Sequence, residues 1–148
     1  MNAPGDGLDR YFGAMQSLQS KVIAAQRGTL IEIAARMAEC VERDARILLF
    51  GTGHSHMLAE EGHYRAGGLA NVVPMLQSAL MLHESSILSG QLERTAGMAR
   101  PIFERYQPQA GEMLFVFSNS GVNLAPVEMA LLAREHGLMS VARSSMGR

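Results

Sequence analysis

Lysine is nearly missing from this chain. Of 13 basic residues only Lys21 is a lysine, and the arginines are spread among 14 acidic residues for a net charge of −1. No basic patch results, so a nucleic-acid partner is not expected. Cysteine occurs once, at Cys40. One thiol excludes an intramolecular disulfide and any cysteine-rich zinc site, and Cys40 is expected to pack as a small apolar group. Tryptophan is absent and aromatics make up 5% of the residues, while methionine occurs 11 times, which points to an adaptable core. No apolar run approaches the roughly 20 residues of a membrane span. The first residues, Met1-Asn2-Ala3-Pro4-Gly5-Asp6-Gly7, carry neither the basic nor the apolar block of a secretory signal. A cytoplasmic protein without a membrane partner is the expectation.

What is present suffices for one globular domain: 148 residues, 47% hydrophobic and 18% charged. Residues 1–7 read as a flexible tail and 8–148 as the domain. Leu8, Phe12, Met15, Leu18 and Val22 recur at helical spacing. Gly28 interrupts, and Thr29-Leu30-Ile31-Glu32 has the form of a capping box, which predicts a second helix from about residue 30 to 43. Ile31, Ala35 and Ala38 give that helix a second apolar flank, suited to self-association as a homodimer or larger homo-oligomer.

Strands are predicted at 46–50, 71–75, 112–117 and 138–142, with helical stretches between them. Such alternation predicts a three-layer αβα fold with a parallel sheet and right-handed crossovers. Pro74 lacks an N–H and belongs at a sheet edge. The order 2-1-3-4, of flavodoxin type, satisfies that and puts the switch point between strands 1 and 3. The turns after those two strands are Gly51-Thr52-Gly53-His54-Ser55-His56 and Ser118-Asn119-Ser120-Gly121, the latter with Asn123 opening a helix. Helix starts have unpaired N–H groups and a positive dipole end, which suit phosphate or carboxylate. Strand order and turn chemistry thus select one crevice. A dinucleotide site fits poorly, because the Gly-x-Gly-x-x-Gly spacing fails at His56 and no acidic residue ends strand 2.

Gly51-Thr52-Gly53-His54-Ser55 followed by Ser118-Asn119-Ser120-Gly121-Val122-Asn123 resembles the sugar isomerase (SIS) phosphosugar-binding domain. Ala59-Glu60-Glu61, Tyr64-Arg65-Ala66-Gly67-Gly68 and Glu128-Met129-Ala130 resemble an uncharacterised subfamily of it, more distantly related to phosphoheptose isomerases and N-acetylmuramic acid 6-phosphate etherases. The resemblance implies that Ser118, Ser120 and Asn123 hold the phosphate of a sugar or amino sugar, assisted by Ser55. Gly53, His54, Asn119 and Gly121 complete that binding set. No cofactor and no metal are implied, and His54 and His56 straddle Ser55 in a way that points them apart.

The chain departs from the family pattern in two places. Where those enzymes carry a catalytic glutamate ten residues after the first-turn serine, this chain has Arg65. The family's fifth strand has no counterpart before Arg148, so the domain reads as truncated at its C-terminus. The remaining acid–base candidates are Glu84, Glu61 and His56. Glu84, aligned through Ala79-Leu80, resembles the second catalytic glutamate of the etherases. Glu61 stands four residues from Arg65, as a surface ion pair would. Two functions follow: an isomerase- or lyase-type enzyme on a phosphorylated sugar or amino sugar, and a phosphosugar-sensing module with the same crevice and no chemistry.

Overall fold

A computed structural model describes residues 5–145. The chain divides into two compact units at Arg36/Met37. The first unit is helical. It consists of most of α1, which runs without interruption from Asp6 to Glu42, 37 residues. One helix therefore stands where the sequence predicts a pair. Gly28 lies inside it and Thr29 caps nothing, because an interior glycine costs only about 1 kcal/mol and the turns on both sides propagate through it. The expected tail overlaps α1 at Asp6 and Gly7, and its first four residues lie outside the described residues. Leu8, Tyr11, Phe12, Leu18, Val22, Ile23, Leu30 and Ile31 are all exposed along this helix.

The second unit holds the sheet. Its strands are β1 (Ile47–Gly51), β2 (Val72–Pro74), β3 (Met113–Phe117) and β4 (Met139–Arg143), all parallel, in the order β2-β1-β3-β4. This is the predicted order, and Pro74 shows why it holds. Met75 N–H donates to Leu49 O at 2.8 Å, so on β2 the odd-numbered amides face β1 and the nitrogen of Pro74 faces the free edge. The other helices are α2 (His56–Glu61), α3 (Ser86–Leu92), α4 (Ala99–Tyr106) and α5 (Leu124–Glu135). α2 stops sooner than its sequence suggests, with Gly62 as its C-cap and Tyr64 at φ +45° just beyond. The pattern over Leu92 to Tyr106 reads as helical, with a kink or a split into two short helices expected at Pro101; the helix starts instead at Ala99, which puts Pro101 in a first turn where no N–H is missed. A separate α3 precedes it, capped by Ser85, whose hydroxyl accepts from Leu88 N–H at 3.2 Å.

Side chains alternate across the central strands. Leu48, Phe50, Leu114 and Val116 face the main core with Ile102 and Phe103 of α4 and Met129, Leu132 and Ala133 of α5. Leu49 points the other way, against α2 at Gly62. The single thiol, Cys40, is buried at the end of α1, and burial pushes its pKa up. It packs as an inert apolar group, as expected.

An ion pair between half-buried Arg46 and buried Glu112 ties the amino ends of the central strands. Arg46 donates from Nε and Nη2 to the two carboxylate oxygens of Glu112, and its Nη1 and Nη2 also reach the carbonyls of Tyr106 and Gln107 at 2.9 Å. Gln109 N–H donates to Glu112 Oε2 at 2.8 Å, so the carboxylate of this buried residue is bonded at both oxygens. Removing one partner of such a pair leaves the other charge uncompensated. Glu112→Ala is expected to cost about 3 kcal/mol in urea unfolding. A loss under about 1 kcal/mol would show that the guanidinium is served by solvent instead.

Candidate functional site

The first turn is shaped by two glycines. A Cβ on Gly51 would collide with the Ser55 carbonyl, and Gly53 sits at φ +55°, a region L side chains rarely occupy. Ser55 N–H closes the turn onto Thr52 O at 3.0 Å. In the second turn Gly121 takes φ +68°, and its N–H donates to Ser118 Oγ at 3.0 Å. The hydroxyl of Ser118 therefore shapes its own loop. Those of Ser55 and Ser120 have no hydrogen-bond partner among the described residues, and Asn123, although it occupies the N-cap position of α5, makes no side-chain capping bond.

Both turns open onto one cleft of about 360 Å³, within the range of small-molecule pockets. Gly53, His54, Ser55, Ser118, Asn119, Ser120 and Asn123 line it, all of them read from the sequence. Gly121 does not line it and acts through loop shape. The α5 start offers fewer donors than expected. Ala125 N–H is spent on Glu93 O at 2.9 Å, and Pro126 has no N–H. The donors left for an anion are chiefly side-chain hydroxyls and amides, joined by the backbone N–H groups of Asn119 and Ser120, which find no partner among the described residues.

None of the three acid–base candidates lines the cleft. Glu61 is exposed and ion-paired with Arg65. Glu84 is exposed in the turn before α3, although Leu82 and Ser86 on either side of it reach the cleft. His56 is 2% exposed, and neither ring nitrogen has a hydrogen-bond partner among the described residues. Among those residues no group of three or more His, Cys, Asp or Glu could hold a metal ion.

Two lining residues carry chemistry the sequence did not point out. Glu93, at the C-cap of α3, accepts from Thr52 Oγ1 at 2.7 Å through Oε2, and its side chain is 15% exposed. Arg94 follows at the rim, its Nη1 donating to Gly90 O at 2.6 Å. Glu93 lies in a stretch whose sequence pattern reads as helical from Leu92 and marks no site there. Gly97, in the connection between α3 and α4, was the available signal that the chain turns there.

Burial depresses the pKa of His56. The Glu60 carboxylate, 3.6 Å from Nδ1, opposes that, and His83 adds to it. The folded protein thus keeps this imidazole neutral where the unfolded chain, with a pKa near 6.5, takes up a proton. Its contribution to stability is complete above that value and is lost as pH falls through the window below it. Melting temperatures measured from about pH 7 down to pH 5 should fall less steeply in His56→Leu than in the parent. Parallel slopes would mean that the ring is protonated in the fold.

Residues 10–145 match the SIS domain family. Curated relatives include UPF0309 proteins of Brucella ovis and Brucella canis, each 46% identical over 145 residues that cover 93% of this chain. The chain spans only 57% of the length of those relatives. A phosphoheptose isomerase from Neisseria gonorrhoeae superposes with a TM-score of 0.72 at 21% identity, over 96% of this chain and 75% of that one. One from Francisella tularensis gives 0.71 at 15% identity, over 97% and 75%. Those structures share the fold. The family match, the β2-β1-β3-β4 sheet and the two Gly/Ser turns agree, and the chain belongs to the SIS domain family.

Proposed function

We propose that the cleft binds a phosphorylated sugar or amino sugar, with the phosphate held by the second turn and Ser55. The observation that carries this reading is the convergence of unpartnered donors, Ser55, Ser120 and Asn123, on one cleft at the switch point. Hydroxyls and amides suit a ligand that must also leave, since they bind a dianion without adding a fixed charge. The fold that this chain shares with phosphoheptose isomerases fits the same reading, and so does a cytoplasmic setting, where charged sugar phosphates are confined.

In the enzyme form of this reading, a carboxylate moves a proton during isomerisation or elimination, and Glu84, two residues from Leu82 and Ser86, is the first candidate, ahead of Glu61 and His56. The placement of all three outside the cleft lining favours a second form, a sensing module with no chemistry. Turnover of a panel of hexose and hexosamine phosphates separates the two.

The reading includes self-association through α1, with a second copy of the chain as the occupant. Leu8, Phe12, Leu18, Ile23 and Ile31 are each more than half exposed, and a single helix in water does not keep such a surface bare. The segment that makes the relatives longer is the competing cover.

Two outcomes are expected. In calorimetric titration Ser120→Ala should weaken sugar-phosphate binding by about tenfold or more, one hydrogen bond to a charged group being worth roughly 1.5–3 kcal/mol. Unchanged affinity would remove the second turn from the site. In sedimentation at micromolar concentration the chain should run as a dimer or larger, and a clean monomer would return α1 to some other partner.

A further inference from the structure

We propose that Glu93 is a second subsite of the cleft, which accepts a hydrogen bond from a hydroxyl or ammonium group of the sugar while the phosphate occupies the second turn. The inference rests on the phosphosugar reading and specifies which end of the ligand goes where.

Three observations support it. A carboxylate accepts through two oxygens and donates through neither. Thr52 Oγ1 occupies Oε2, whereas Oε1 has no hydrogen-bond partner among the described residues; Arg94 Nη2, at 3.9 Å, is beyond bonding distance. Oε1 is not sealed in the protein either, since among the described residues the only buried polar side-chain atoms without a partner are the two nitrogens of His56. An acceptor is thus held in fixed orientation and left open in the cleft wall.

The surrounding polarity fixes the ligand's direction. Ser89, on the same wall, spends its hydroxyl on Leu80 O at 3.0 Å and offers no donor. A phosphate near Glu93 would meet a carboxylate of its own sign. Elsewhere in the lining it meets the donors of Ser55, Ser120 and Asn123. A sugar phosphate carries its anion at one end and donors along the rest, which matches this division. Arg94 beside Glu93 keeps that wall near neutrality, so a neutral polyol and an ammonium-bearing sugar are both admitted, and a second anionic group is not.

Glu93 also has a mechanical role. Its carboxylate holds Thr52 in the first turn, and its carbonyl accepts from Ala125 N–H in α5, 2.9 Å away. The test must therefore separate a ligand contact from a clasp. Glu93→Gln retains a carbonyl oxygen for Thr52 and leaves the backbone bond intact, and it replaces one acceptor with an NH₂ donor. Binding of inorganic phosphate, glucose 6-phosphate and glucosamine 6-phosphate is measured by calorimetry, with Ser120→Ala beside it.

In the parent, at least one of the two esters should bind more tightly than inorganic phosphate. Glu93→Gln should lose about tenfold or more for that ester, keep its phosphate affinity and melt like the parent. Ser120→Ala should weaken phosphate and ester alike. Ester affinity unchanged in Glu93→Gln overturns the subsite. Phosphate affinity lost to the same extent as ester affinity also overturns it, and leaves Glu93 a clasp. A parent that binds the esters no better than phosphate overturns it while the phosphate site stands. A parent that binds none of the three removes the phosphosugar reading itself, and the subsite with it.

Discussion

The pairing of β1 with β3 is the constraint on which the site depends. Ile47 through Gly51 run in register with Met113 through Phe117, so Gly51 lies opposite Phe117 and the two turns leave the sheet at the same height. Side chains alternate with a period of two, and a slip of one residue would turn Leu48 and Phe50 out of the core. The same slip would offset the turns by one residue and take Ser55 away from Ser120. Burial of four apolar side chains therefore sets the geometry of polar groups that lie beyond the strands.

Each end of this pair has its own fastening. At the amino end Arg46 and Glu112 join the first residues of the pair and gather the carbonyls that end α4. At the carboxyl end Glu93 bridges Thr52 and Ala125. The two differ in what they leave over. The carboxylate of Glu112 is bonded at both oxygens, as a purely structural charge should be. That of Glu93 is bonded at one. A half-satisfied carboxylate is poor design for a clasp and good design for a group that waits for a donor.

How much of this was legible in the sequence follows from the range of the forces involved. The strand order could be read from Pro74, because a missing N–H is a local chemical fact with a single tolerated place in a sheet. The two turns could be read from glycines, because Gly53 and Gly121 need backbone conformations that other residues resist. The break at Gly28 was misread, since one glycine weighs little against a helix of 37 residues. Glu93 was not legible as a site residue. Nothing near it in the chain says that it meets Thr52, 41 positions earlier, and only the fold brings the two together. The helix start at Asn123 was legible as a position but not as a set of donors, because the bond from Ala125 to Glu93 is tertiary.

That last point alters how the cleft must work. A helix start with free amides attracts any anion through its dipole and N–H groups together. Here α5 contributes its dipole, while one of its first amides is committed to Glu93 and another is absent at Pro126. The donors left open at the cleft are then the hydroxyls of Ser120 and Ser55 and the backbone amides of Asn119 and Ser120, which have no partner among the described residues. These groups converge only because Gly121 and Ser118 hold the loop in one shape. On the proposed reading, selectivity rests on loop conformation rather than charge, and a ligand with two polar ends is favoured over a bare anion. Every residue lining the cleft lies between Thr52 and Asn123, within the second unit. The donors of the proposed ligand site lie between β1 and the start of α5, whereas the groups considered for chemistry stand outside that lining. On the proposed reading, binding therefore needs none of the groups considered for chemistry.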